Sequence, residues 1–123
     1  MADVKESDWK LFRARLPQWQ ERYMTGVVEK CRRILETETK ASDCYWKLER
    51  FINREKRSPG VIVHDIRRST MHVHILDLLE TKVITLDDMG GFSEEYRAFV
   101  EWCCRVQRGD TPIPPQPKAP GEE

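Results

Sequence analysis

From the start of the chain, apolar side chains recur at steps of three and four: Trp9, Phe12, Leu16, Trp19, Tyr23, Val27, Cys31 and Ile34. That period lays them on one stripe of an α-helix. Glu, Lys, Arg and Gln, all good helix formers, fill most of the gaps. Pro17 has no backbone N–H, so the pattern predicts a long N-terminal helix over 8–39 that is kinked or broken there. Gly26 is a second weak point. Unbroken, the stretch would run about 48 Å at 1.5 Å per residue, against a radius of gyration near 14 Å for a compact chain of this size. The helix must therefore bend at Pro17, project, or pair with another copy of the chain.

A second helix is expected from Ser42, an N-cap residue, with Asp43 favourable in its first turn. Tyr45, Leu48, Phe51 and Ile52 form its apolar stripe, and Arg50, Arg54 and Arg57 line another face. Ser58-Pro59-Gly60 marks a boundary, with Pro59 placed to open a third helix. Val61-Ile62-Val63 is β-branched, but a lone strand has no partner, so helix is the better reading. Ile62, Ile66, Val73, Leu76 and Leu79 share one face of it, up to Glu80, and Ser69-Thr70 is a point at which it can break in two. Thr85 and Asp88 fit a capping box for one short turn that Gly90-Gly91 stops. Ser93 then caps a last helix with Glu94 and Glu95 at its positive end. Its stripe is Tyr96, Phe99, Cys103 and Val106, and Gly109 ends it. The tail TPIPPQPKAPGEE has no apolar period and five prolines. The expectation is an all-α protein with flexible residues 1–7, one bundle of about five helices over 8–108, and a disordered Pro-rich tail over 109–123.

Composition narrows the function. The 123 residues suit one domain, and none of their apolar runs approaches the roughly 18–20 residues needed to cross a bilayer. The opening MADVKESD lacks the basic-then-apolar pattern of a secretion signal. A soluble, cytoplasmic protein without a membrane partner is expected. The four cysteines, Cys31, Cys44, Cys103 and Cys104, include no C-x-x-C spacing and read as small buried hydrophobes. His72-x-His74 does not face one way on a helix, so neither metal nor cofactor is expected.

Candidate chemistry is sparse. Arg67-x4-His72 and Arg68-x5-His74 fit the loose Arg-to-His spacing of helical HEPN ribonucleases. With 13 arginines and three histidines in the chain, such a spacing arises readily by chance. The acidic pairs Asp87-Asp88 and Glu94-Glu95 sit in helix first turns, where the backbone dipole accounts for them. No Gly-rich phosphate loop, G-x-S-x-G or H-E-x-x-H occurs. No catalytic residues are therefore assigned, and a non-enzymatic protein is expected.

The formal charge is zero but uneven. Residues 47–68 hold seven basic against three acidic side chains, and residues 77–101 hold two against seven. Such asymmetry points to an anionic partner, or to two blocks that face each other within the fold or across a dimer. Four tryptophans are many for this length, and Trp and Tyr favour interface hot spots. The leading expectation is an interaction protein that binds a protein partner or forms a homodimer through Trp9, Phe12, Trp19 and Tyr23. The alternative is a nucleic-acid-binding regulator whose Arg50, Arg54, Arg57, Arg67 and Arg68 meet phosphates. The overlapping P-x-x-P spacings of the tail are common in any Pro-rich linker.

Four stretches, WKLFRARLPQWQERYM (9–24), ASDCYWKLERFI (41–52), KRSPGVI (56–62) and ITLDDMGGFSEE (84–95), carry a resemblance. Together they resemble a family of small, uncharacterised helical proteins of Firmicutes and their phages and other mobile elements. Some members are labelled multidrug transporters, a label that the missing apolar spans make untenable here. The resemblance supplies no catalytic residues. It implies a role in regulation or in conflict between host and element. Members favour other residues around 72–74, which weighs against the ribonuclease reading. The Cys103-Cys104 pair and the Pro-rich tail are peculiar to this chain.

Overall fold

A computed structural model describes residues 4–109 of the protein, and the proposed disordered tail falls almost wholly outside them. The described residues are all-helical and contain no strand. Four α-helices follow in order: α1 (Glu6–Thr37), α2 (Ala41–Glu55), α3 (Met71–Glu80) and α4 (Glu94–Gln107). Two short 3-10 turns, Arg68–Thr70 and Leu86–Met89, precede α3 and α4.

The first half of α1 is the axis of the core. Phe12, Leu16 and Trp19 are buried along one stripe, four and three residues apart. Against them pack Met71, Ile75 and Leu78 of α3, Tyr96 and Val100 of α4, and Val83, Ile84, Met89 and Phe92 of the connection between those helices. Neighbouring rings follow one another through the core: Phe12 to Trp19 at 6.3 Å, Trp19 to Phe92 at 6.4 Å and Phe92 to Tyr96 at 6.0 Å between centroids. These separations suit offset and tilted aromatic contacts.

Polar contacts fix how α4 and its lead-in sit on α1. Asp8 is 2% exposed, the one buried charged side chain among the described residues. Its carboxylate accepts from the Ser93 backbone N–H at 2.8 Å and from the Ser93 hydroxyl at 2.6 Å. Ser93 in turn accepts from the Tyr96 N–H at 3.3 Å, the expected N-cap of α4. Arg15 donates to the carbonyls of Asp88 and Gly90, and Gly91 beside it adopts φ +96°, where a side chain would be strained. Thr85 and Asp88 form the expected capping box. Arg22 grips the Asp88 carboxylate with two bonds of 2.9 Å, which holds that carboxyl below its usual range. Stability from this contact is present above the ordinary carboxylate pKa and is lost as pH falls through the lowered value.

The structure corrects several expectations. Pro17 does not break α1, which runs unbroken through it. An interior proline costs about 3 kcal/mol, but burying Leu16 and Trp19 on either side of it returns about 1.5–3 kcal/mol each. The helix begins at Glu6 and Val4 packs against the core, so residues 4–7 belong to the fold rather than to a flexible terminus. α2 starts at Ala41, so Ser42 lies inside its first turn instead of capping it. Residues 62–67 form no regular element and are not helical. Asp65 has a left-handed φ of 58°, and the Thr70 hydroxyl accepts from the Arg67 N–H at 3.0 Å to start the chain anew. The later start rotates the buried face of α3, so Val73 is exposed while Met71, Ile75 and Leu78 fill the core.

Removing the Asp8 carboxylate strands a buried N–H and hydroxyl. Asp8→Ala is expected to lower unfolding free energy by about 2–3 kcal/mol in urea denaturation. The Tyr96 hydroxyl, by contrast, is buried without a hydrogen-bond partner, and burial pushes its pKa up, helped by the Asp8 charge. Tyr96→Phe removes that unmet group, so in the same assay it should be neutral or stabilise by up to about 1 kcal/mol.

Candidate interaction surface

Beyond the core, the second half of α1 continues as half of a helical hairpin with α2. The Cys44 thiol lies 3.9 Å from the Ile34 carbonyl near the tip, and the Tyr23 hydroxyl bonds Glu55 at the other end. Those two contacts make the helices antiparallel and in register. Lys47 pairs with Glu38 at 2.7 Å across the turn. Phe51 is buried between the helices, with the Arg54 guanidinium 5.6 Å over its ring, while Leu48 and Cys44 are half-buried. The base is held to the core by Gln20, which donates to the Pro59 carbonyl at 3.0 Å, and by Gly60, whose α-carbon presses on the Tyr23 ring. A Cβ at position 60 would overlap that ring.

The hairpin leaves large apolar side chains in water. Val28 and Leu35 of α1 are 63% and 58% exposed, and Tyr45 and Trp46 of α2 are 63% and 55% exposed. Met24 and Ile52 are partly uncovered beside them. Helical spacing places Met24, Val28 and Leu35 about a quarter-turn from the line along which α1 meets α2. Tyr45 and Ile52 lie about a quarter-turn, in the same rotational sense, from the matching line on α2. In an antiparallel pair the same sense of rotation brings both stripes to one side, so the five side chains share one face. Trp46 packs edge-on to Tyr45 at 4.9 Å and carries the apolar surface further round α2.

The expected contact residues divide. Phe12 and Trp19 are buried in the protein's own core and are unavailable to a partner. Trp9 is half-buried beside Phe12, and Tyr23 is half-buried and bonded to Glu55. The N-terminal aromatic stripe is thus mainly core, and the exposed aromatic surface is Tyr45 and Trp46. The sequence placed Tyr45 on one apolar stripe with Leu48 and Ile52 because their spacing is helical. Periodicity alone could not show that α2 packs chiefly against α1.

The basic residues are also split. Arg50, Arg54 and Arg57 are exposed on or just after α2. Arg67 is held by Asp65 through two bonds of 2.7 Å, and Arg68 pairs with Glu6. The pairing with Arg67 keeps the exposed Asp65 carboxyl below its usual range. His74 faces the Asp65 carbonyl at 3.0 Å, and His72 lies against Phe99 with ring centroids 6.0 Å apart. The two histidines therefore point to different surroundings. Among the described residues, no group of three or more His, Cys, Asp or Glu side chains is placed to hold a metal ion, and no helix is long and apolar enough to cross a membrane. Comparison of the chain with protein-family models, curated proteins and solved structures finds no match.

The two aromatic environments on α2 are separable by mutation. Phe51→Ala should cost about 3 kcal/mol in denaturant unfolding because it empties the hairpin interior. Trp46→Ala should change stability by less than about 0.5 kcal/mol, since its ring supports nothing beneath it.

Proposed function

We propose that this protein is a non-enzymatic helical interaction module that binds another protein surface through the exposed apolar face of its α1–α2 hairpin. The carrying observation is the set Met24, Val28, Leu35, Tyr45 and Ile52, all exposed and gathered on one side of the hairpin. Contiguous apolar surface of this kind, with charged neighbours at its margin, characterises protein–protein contact sites. The four unpaired thiols suit a reducing compartment, so the cytoplasm is its proposed location. The resemblance to proteins of phages and mobile elements favours a regulatory use of the contact. The nucleic-acid reading has weaker support, because two of its five arginines are already engaged by carboxylates.

A photo-reactive benzoylphenylalanine at position 35 tests the reading in the cells that make the protein. Irradiation should give one discrete protein adduct, whereas the same probe at exposed Ala98 on α4 should give none. Equal labelling from both positions, or an adduct with nucleic acid, would refute the interaction reading.

A further inference from the structure

We infer that the occupant of the hairpin face is a second copy of this chain, with α1 of each copy lying on α2 of the other in an antiparallel four-helix arrangement. The inference rests on the proposed interaction reading and names its partner. Charge is the first argument. The turn after α2 carries Lys56 and Arg57, both exposed. Stacking α2 in parallel on its own copy would set these cations against one another, which is unfavourable. Crossing α1 over the other copy's α2 avoids that.

Register is the second argument. Ile34 lies opposite Cys44, and Tyr23 opposite Glu55, so the same register puts Glu21 level with Arg57 and next to Lys56. A two-fold axis parallel to the hairpin keeps those levels. Glu21 of each copy then stands beside Lys56 and Arg57 of the other, twice over, at the margin of the apolar face. No ion pair within the chain joins Glu21, Lys56 or Arg57 among the described residues.

Area is the third. The five apolar side chains leave on the order of 500 Å² uncovered per copy, and the aliphatic stems of the flanking charges extend it toward the roughly 800 Å² per partner of a standard interface. The zero formal charge of the chain sets no long-range repulsion against pairing.

Sedimentation equilibrium of the purified full-length protein is the test. A dimer is expected at concentrations of about 100 μM and below, with Kd in the micromolar range or tighter. Val28→Glu and Leu35→Glu, both at exposed positions, should each weaken association at least about tenfold while the helical circular dichroism stays unchanged. Glu21→Arg should weaken it measurably, and adding Lys56→Glu and Arg57→Glu to that variant should restore it. A monomer at every concentration overturns the inference, as does a dimer indifferent to Val28→Glu. A charge reversal without effect overturns the crossing of α1 on α2. If the chain is monomeric but the position-35 probe still captures a different protein, the interaction reading stands and only the self-pairing fails.

Discussion

The length of α1 governs the rest of this structure. At 32 residues it spans about 48 Å, while the core that α3 and α4 build around it covers only its first half. A helix cannot stay stable in water on propensity alone over the remaining turns, so its apolar side needs a neighbour. α2 supplies one, and the protein becomes a small core with a two-helix extension. Two helices side by side still leave faces uncovered.

Buried and exposed apolar surface are therefore divided between the two halves of one helix. The half from Asp8 to Trp19 is committed inward. Its carboxylate holds the start of α4, and its rings are covered by α3, α4 and their connection. The half beyond Tyr23 has ion pairs along its own surface, such as Arg32 with Glu29 and Glu36, which contribute little to stability individually but keep that surface polar. Polar and apolar surfaces on the extension are thus segregated around the helix rather than mixed.

Much of the architecture was legible from residue spacing. The stripe Phe12, Leu16 and Trp19, the cap at Ser93, the box of Thr85 and Asp88, and the stop at Gly109 each appear where local chemistry places them. What failed was whatever depended on tertiary context. Pro17 left open whether the long helix is kinked or broken, because its local cost is visible whereas the burial that offsets it is not. Residues 59–67 looked helical because their apolar spacing allowed it. The left-handed Asp65 and the packing of Gly60 on Tyr23 are consequences of partners distant in sequence. Asp8 drew no notice, since nothing local distinguishes a buried carboxylate from the many exposed ones. The burial of Phe12 and Trp19 was hidden for the same reason: spacing tells which residues share a stripe, but not which stripe finds a neighbour. The aromatic run of α1 found one, and the face of Tyr45 did not.

Gly60 carries a consequence for variation in this protein. Its α-carbon lies so close to the Tyr23 ring that even a methyl group would collide, and Tyr23 is itself tied to Glu55. Three positions on two helices and a loop thereby behave as a single hereditary unit, where change at one demands change at the others. The tip around Thr39 and Lys40 is under no such restraint. Substitutions at Thr39 and Lys40 should therefore leave the packing of the hairpin's root undisturbed, whereas a side chain at position 60 would force Tyr23 and its bond to Glu55 to move together.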